Sequence, residues 1–169
     1  MRQDYNSQLL KEFGKQRVAK GTNRQLLADA MRAEQLVSKL SPNTDYGYDF
    51  ICASVSGVRD FNAGVETQSG RKWIADLLLL IEDLSDASDL HADSVGQPVH
   101  TVDELCKMHN VSSKTVSRWR QQGLVSRKFI FDGNRKRIGF LRSSVDNFVK
   151  ANPEKVARGE RFSQMSEND

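Results

Sequence analysis

Two groups of residues carry the chemistry this sequence can offer. The first is Ser113, Lys114, Thr115, Ser117, Arg118 and Gln121, all within one nine-residue stretch. The second is the consecutive run Arg135, Lys136 and Arg137. Lysine and arginine donate to the O6 and N7 of guanine, and serine can pair with either partner type. Clustered cations also neutralise phosphates and release their condensed counterions. Residues 107–150 hold eleven lysines and arginines against two acids, Asp132 and Asp146, a net charge of +9. A single exposed cation usually means only a solvated surface, but so many on so short a stretch point to double-stranded DNA as a partner.

Other chemistries find little support in the residue inventory. The glycines at 21, 57, 64, 70 and 96 are scattered and form no phosphate loop. Neither a Cys-x-x-Cys pair nor a His-x-x-x-His spacing occurs. Asp83, Asp86 and Asp89 recur every three residues, but the alternating ligands, central glycine and closing glutamate of a calcium loop are missing. His91 stands alone in its segment. The expectation is therefore a chain that is not an enzyme, with no metal, no cofactor and no small-molecule substrate. No apolar run can span a bilayer, and MRQDYNSQLLKEFGK lacks the apolar core of a signal peptide. Cys52 and Cys106 then read as buried thiols in a cytoplasmic protein rather than as a disulfide.

The elements that must position the cationic groups can be read from spacing. Thr101 with Glu104 forms a capping box ahead of Leu105 and Met108, and Asn110 suits the turn that follows. Ser112 or Ser113 caps a second helix whose buried side is Val116 and Trp119, with Val111 and Leu124 closing its ends. Phe129 to Phe131 and Ile138 to Phe140 alternate at strand period about the Asp132-Gly133 turn. Alternation places Phe129, Phe131, Ile138 and Phe140 on one face. Ser143 and Asp146 form a further capping box for a last short helix with Val145, Phe148 and Val149 inside. Helix, turn, helix, hairpin, helix is the order of a winged helix-turn-helix with a basic wing.

Two runs within this region, SSKTVSRWRQQGLV and GFLRSSVDNFV, resemble the MerR/excisionase-type winged helix. The longer run from Thr101 to Asp169, with EDLSDASDLHADSVGQPV upstream, resembles the N-terminal region of a group of RNA polymerase sigma factors found in planctomycete bacteria. In that family the polymerase-binding and promoter-binding regions follow this segment. The resemblance implies an N-terminal piece or a shortened relative of such a factor, placed at the nucleoid.

Charge segregates strongly along the chain. Residues 1–72 carry eleven cations against eight acids, whereas residues 73–106 carry eight acids and no lysine or arginine. Leu26 to Leu40 is strongly periodic behind a Thr22/Gln25 capping box, and a further helix from Ser69 or Gly70 holds the run Leu77 to Ile81, apolar on nearly every side. Residues 5–19 suggest another helix. Tyr46 to Val58 has helical spacing at Ile51, Val55 and Val58 but β-branched content that suits a strand, with helix favoured. FNAGVETQSGR reads as a loop. The expected fold is mainly α: a helical bundle over 1–84, an acidic linker over 85–98, a winged helix-turn-helix with one small β-hairpin over 99–152, and a tail over 153–169. The function expected is sequence-specific DNA binding in transcription initiation or regulation. Two alternatives share the pattern: a module contacting RNA polymerase or a regulatory protein, and an excisionase-like architectural factor.

Overall fold

Capping and apolar periodicity set the first half of the chain. In the computed structural model, which describes residues 3–57 and 66–167 with side chains as far as Arg161, helix α1 spans Gln8–Lys20 and α2 spans Asn23–Lys39. Thr22 and Gln25 make the reciprocal capping box that their spacing predicts. Strand β1 (Asp45–Gly47), α3 (Tyr48–Ser56), β2 (Thr67–Ser69) and α4 (Gly70–Ala87) follow. Among the described residues the chain is mainly helical, with small antiparallel sheets. It divides into two compact units, Met1–Asp89 and Leu90–Asp169.

In the first unit, α2 packs against α4 and α3, and α1 lies against the same two helices. Trp73, Leu77, Leu80, Ile81 and Leu84 of α4 are fully buried, which accounts for a helix apolar on nearly every side. Gly14 lets α1 approach closely: a Cβ there would sit 2.8 Å from Leu80 Cδ1. Two expectations are corrected here. The helix favoured over 46–58 begins only at Tyr48, because Asp45–Gly47 pairs with Thr67–Ser69 as a strand before α3, and Val58 lies outside the described residues. Residues 67–69 are therefore strand rather than loop, while 61–65 lie outside the described residues. The pairing is fixed from both sides. Trp73 Nε1 donates to the Tyr46 carbonyl at 2.8 Å, and Gly70 lies so near the Ser41 carbonyl that a Cβ would meet it at 1.9 Å.

Carboxylates tie this unit together. Asp76 is fully buried and accepts from the backbone N–H groups of Asn6 (2.7 Å) and Ser7 (2.9 Å), from Asn6 Nδ2 and from Gln68 Nε2. It thereby satisfies donors just ahead of α1, where a helix has no acceptors of its own to offer. Asp29, also fully buried, accepts from Arg17 Nε and Arg32 at 2.6 Å each, and Arg32 Nε donates to the Val55 carbonyl. Asp29 thus ties α1 to α2, and Arg32 carries the link on to α3.

The second unit begins inside the stretch expected to be a linker. That expectation is corrected over residues 85–94. Helix α4 runs on through Ala87, with Ser85 buried and its Oγ donating to the Ile81 carbonyl. Leu90 is buried, its carbonyl accepts from Ile130 N at 2.7 Å, and Ala92–Ser94 forms a 3₁₀ turn. The Ser/Asp-rich composition hides one apolar anchor and a backbone pairing that composition does not register. Strand β3 (Val99–Thr101), α5 (Val102–His109), α6 (Ser113–Gln121), β4 (Arg127–Phe131), β5 (Arg135–Leu141), α7 (Arg142–Ala151) and α8 (Pro153–Glu167) complete the unit.

Three more corrections belong to this unit. The sheet has three strands in the order β3-β5-β4, not a hairpin alone. Residues 153–167 are a helix rather than a tail: Pro153 sits at its first position, where a missing N–H costs nothing, and Val156 is buried. Ser143 does not cap α7. The strand passes directly into the helix, so Ser143 is already in the first turn, and its N–H donates to Gln97 Oε1 at 2.9 Å.

Replacing Asp76 by Ala strands the buried Ser7 N–H and removes three further bonds. An unsatisfied buried donor costs about 1–3 kcal/mol. Chemical denaturation should show a loss of that order, and amide exchange should speed up first at the start of α1. Unchanged exchange there would show that Asp76 does not hold α1.

Candidate nucleic-acid interface

The turn between α5 and α6 opens on one left-handed residue. Asn110 closes α5 with φ +53 and its N–H on the Cys106 carbonyl, a conformation asparagine tolerates better than most residues. Ser112 then caps α6, its side chain accepting from Thr115 N at 3.3 Å. Thr101 caps α5 in the same way, but Glu104 does not complete the box; its carboxylate lies 3.5 Å from His100 Nδ1 instead. The two helices and the turn rest on a core of Leu105, Val111, Val116, Trp119, Leu124, Phe140, Val145, Phe148 and Val156. Cys106 lies partly within it, and burial, then the charge of Asp103, push its thiol up.

Burial of Val116 and Trp119 decides what α6 shows to solvent. Ser113, Lys114, Ser117, Arg118 and Gln121 are all exposed. At about 100° per residue they form one stripe about 140° wide along the helix. Thr115 does not join them. It is buried at 7% exposure, and α8 covers it: a Cβ on Gly159 would meet Thr115 Cγ2 at 2.9 Å and Trp119 Cζ2 at 3.1 Å. Thr115 belongs to the packing between α6 and α8 and is removed from the candidate contacts.

The hairpin presents the second cationic group. Gly133 and Asn134 both take positive φ, +78 and +59, and make the turn with Asp132. The register pairs Phe131 with Arg135, Phe129 with Arg137 and Lys128 with Ile138. Opposed residues of an antiparallel pair share a face. Phe129 and Phe131 therefore lie on the face of Arg135, Arg137 and Gly139, while Ile138 and Phe140 lie on the other with Lys136. The expected single apolar face is corrected: the three-residue turn shifts the pairing, and both faces carry apolar residues. Phe129 and Phe140 are each fully buried, and Phe129 lies near Phe131 at 6.2 Å between centroids. Gly139 has no room for a side chain, since a Cβ would lie 2.7 Å from Phe129. Arg135, Lys136 and Arg137 are exposed, with Lys136 turned to the opposite face from its two neighbours.

A cleft of 510 Å³ between residues 91–99 and the turn end of the hairpin, Ile130 to Asn134, is chemically different. Its charged lining is Asp93, Glu104 and Asp132, with no lysine or arginine, so it repels a polyanion. Sequence reasoning missed the contribution of α8. The signal was the Val156 and Gly159 spacing behind Pro153, on a segment whose charges made it look solvated.

No family model, curated protein or solved structure matches the chain. Among the described residues, no helix is long and apolar enough to cross a membrane.

Truncating Trp119 to Ala should destabilise the second unit by about 3–5 kcal/mol, the usual cost of removing a buried tryptophan. Arg118→Ala, on the exposed stripe, should stay within about 0.5 kcal/mol. Denaturant titration of both variants checks the difference, and equal losses would place Arg118 in the core packing.

Proposed function

We propose that residues 99–152 are a winged helix-turn-helix that binds double-stranded DNA sequence-specifically, in transcription initiation or regulation. Helix α6 is the recognition helix and the β4–β5 hairpin is the wing. The exposed stripe Ser113, Lys114, Ser117, Arg118 and Gln121 carries this reading, because a helix held from behind by Trp119 offers its whole polar side to a groove. Lys114 and Arg118 donate to guanine O6 and N7, Gln121 suits adenine N6 and N7, and the serines pair with either. Arg135, Lys136 and Arg137 bind backbone phosphates or an adjacent minor groove, giving affinity rather than sequence choice.

On the resemblance to planctomycete-type sigma factors, this module would act at the nucleoid as part of such a factor, with residues 1–84 as an accessory domain. A second reading, in which the protein contacts RNA polymerase or a regulatory protein, draws on the first unit. Met31 and Phe50 are about half exposed there, and Phe50 stacks on Tyr46.

Arg118→Ala should cost about 1–3 kcal/mol on the preferred site and relax preference at one base pair, measured by selection from a random duplex pool. Replacing Arg135, Lys136 and Arg137 together by Ala should weaken binding to all sequences alike. It should also lower the salt slope by ~0.9 for each phosphate that is no longer neutralised. An unaltered slope would favour the protein-contact reading.

A further inference from the structure

We propose that α8 is a third nucleic-acid contact, in which Lys155 and Arg158 bind backbone phosphates beside the recognition helix. The inference rests on the DNA-binding reading of α6. Its starting point is the way α8 docks. Val156 is buried, Gly159 faces Thr115 and Trp119 of α6, and Glu160 Oε1 lies 3.2 Å from His109 Nδ1 at the end of α5. On α8, then, the Gly159 side meets α6 and the Glu160 side meets α5.

Helical geometry fixes what flanks those contacts. At about 100° per residue, Lys155 lies about 40° beyond Gly159 and Arg158 about 100° beyond it, both on the side away from Glu160. On α6, Thr115 marks the edge that α8 covers. Arg118 and Lys114 come next, about 60° and about 100° around the helix on the side away from α5. The exposed cations of the two helices thus border the same seam. Lys114, Arg118, Lys155 and Arg158 are all exposed. The acid of α8 nearest the core, Glu160, is turned to the opposite flank, against His109.

Among the α8 residues whose side chains are described, Val156 is buried and the small Gly159 lies against Thr115 and Trp119. A phosphate track laid along that seam would meet all four exposed cations and release counterions. The interface becomes a recognition helix with a basic flank contributed by the segment after the winged helix-turn-helix.

The test measures anisotropy of a short random-sequence duplex titrated with the full chain over a range of salt. Three proteins are compared: wild type, the double variant K155Q/R158Q, and the control K20Q/R24Q, which removes the same charge from exposed positions in the first unit. The α8 variant should lower the salt slope by ~1.8, two phosphates at ~0.9 each. The control should leave the slope unchanged. Equal slopes for the α8 variant and the control, with wild type binding normally, overturn the proposal and leave the α6 reading standing. Salt-independent or absent binding by wild type overturns both. Unchanged thermal melts verify that each variant is folded.

Discussion

Trp119 is the side chain around which the second unit closes. Its ring meets the edge of His109 at 5.7 Å and the ring of Phe148 at 5.9 Å, and α8 crosses it at Gly159. Helices α5, α7 and α8 therefore all find their places against one residue of α6. Burying an aromatic ring of this size dominates the local energetics. It also fixes the rotation of α6 about its own axis. With Trp119 and Val116 turned inward, Ser113, Lys114, Ser117, Arg118 and Gln121 can only face water or a partner. The outward chemistry is a consequence of the inward packing.

Much of this was legible in the sequence. The helical pair at 101–121, the turn at Asp132-Gly133, the long helix behind Thr22 and the core roles of Trp73 and Trp119 all follow from caps and periodicity. What escaped depends on partners distant in sequence. Thr115 has the composition of a surface residue, and only the arrival of α8 buries it. The hairpin faces were misassigned because alternation gives the period of each strand, whereas the three-residue turn sets which residues oppose each other. β3 is three residues long, too short to show a period, and exists because Val99 and Thr101 have Leu141 and Gly139 to pair with. Ser143 looked like a cap until the strand ran into the helix.

Charge segregation was legible as a pattern but not as a role. Residues 73–106 count as eight acids, yet they do not form one acidic surface. Asp76 is fully buried on backbone N–H groups, Glu82 is 6% exposed, and Asp83 accepts from Tyr5 Oη at 2.6 Å. Buried carboxylates of this kind hold a particular arrangement of helices, since removing a partner leaves the charge uncompensated. The basic residues divide differently. Those of α6, the hairpin and α8 are exposed at Lys114, Arg118, Arg135, Arg137, Lys155 and Arg158, where they remain available to a polyanion.

Hydrogen exchange of the full chain, with and without a short duplex at low salt, tests whether α6 faces DNA. Protection should concentrate at residues 113–121 and 132–137, with the α1–α4 helices of the first unit exchanging as they do in the free protein. Protection confined to the first unit, or none at all, would contradict α6 as the DNA-facing helix.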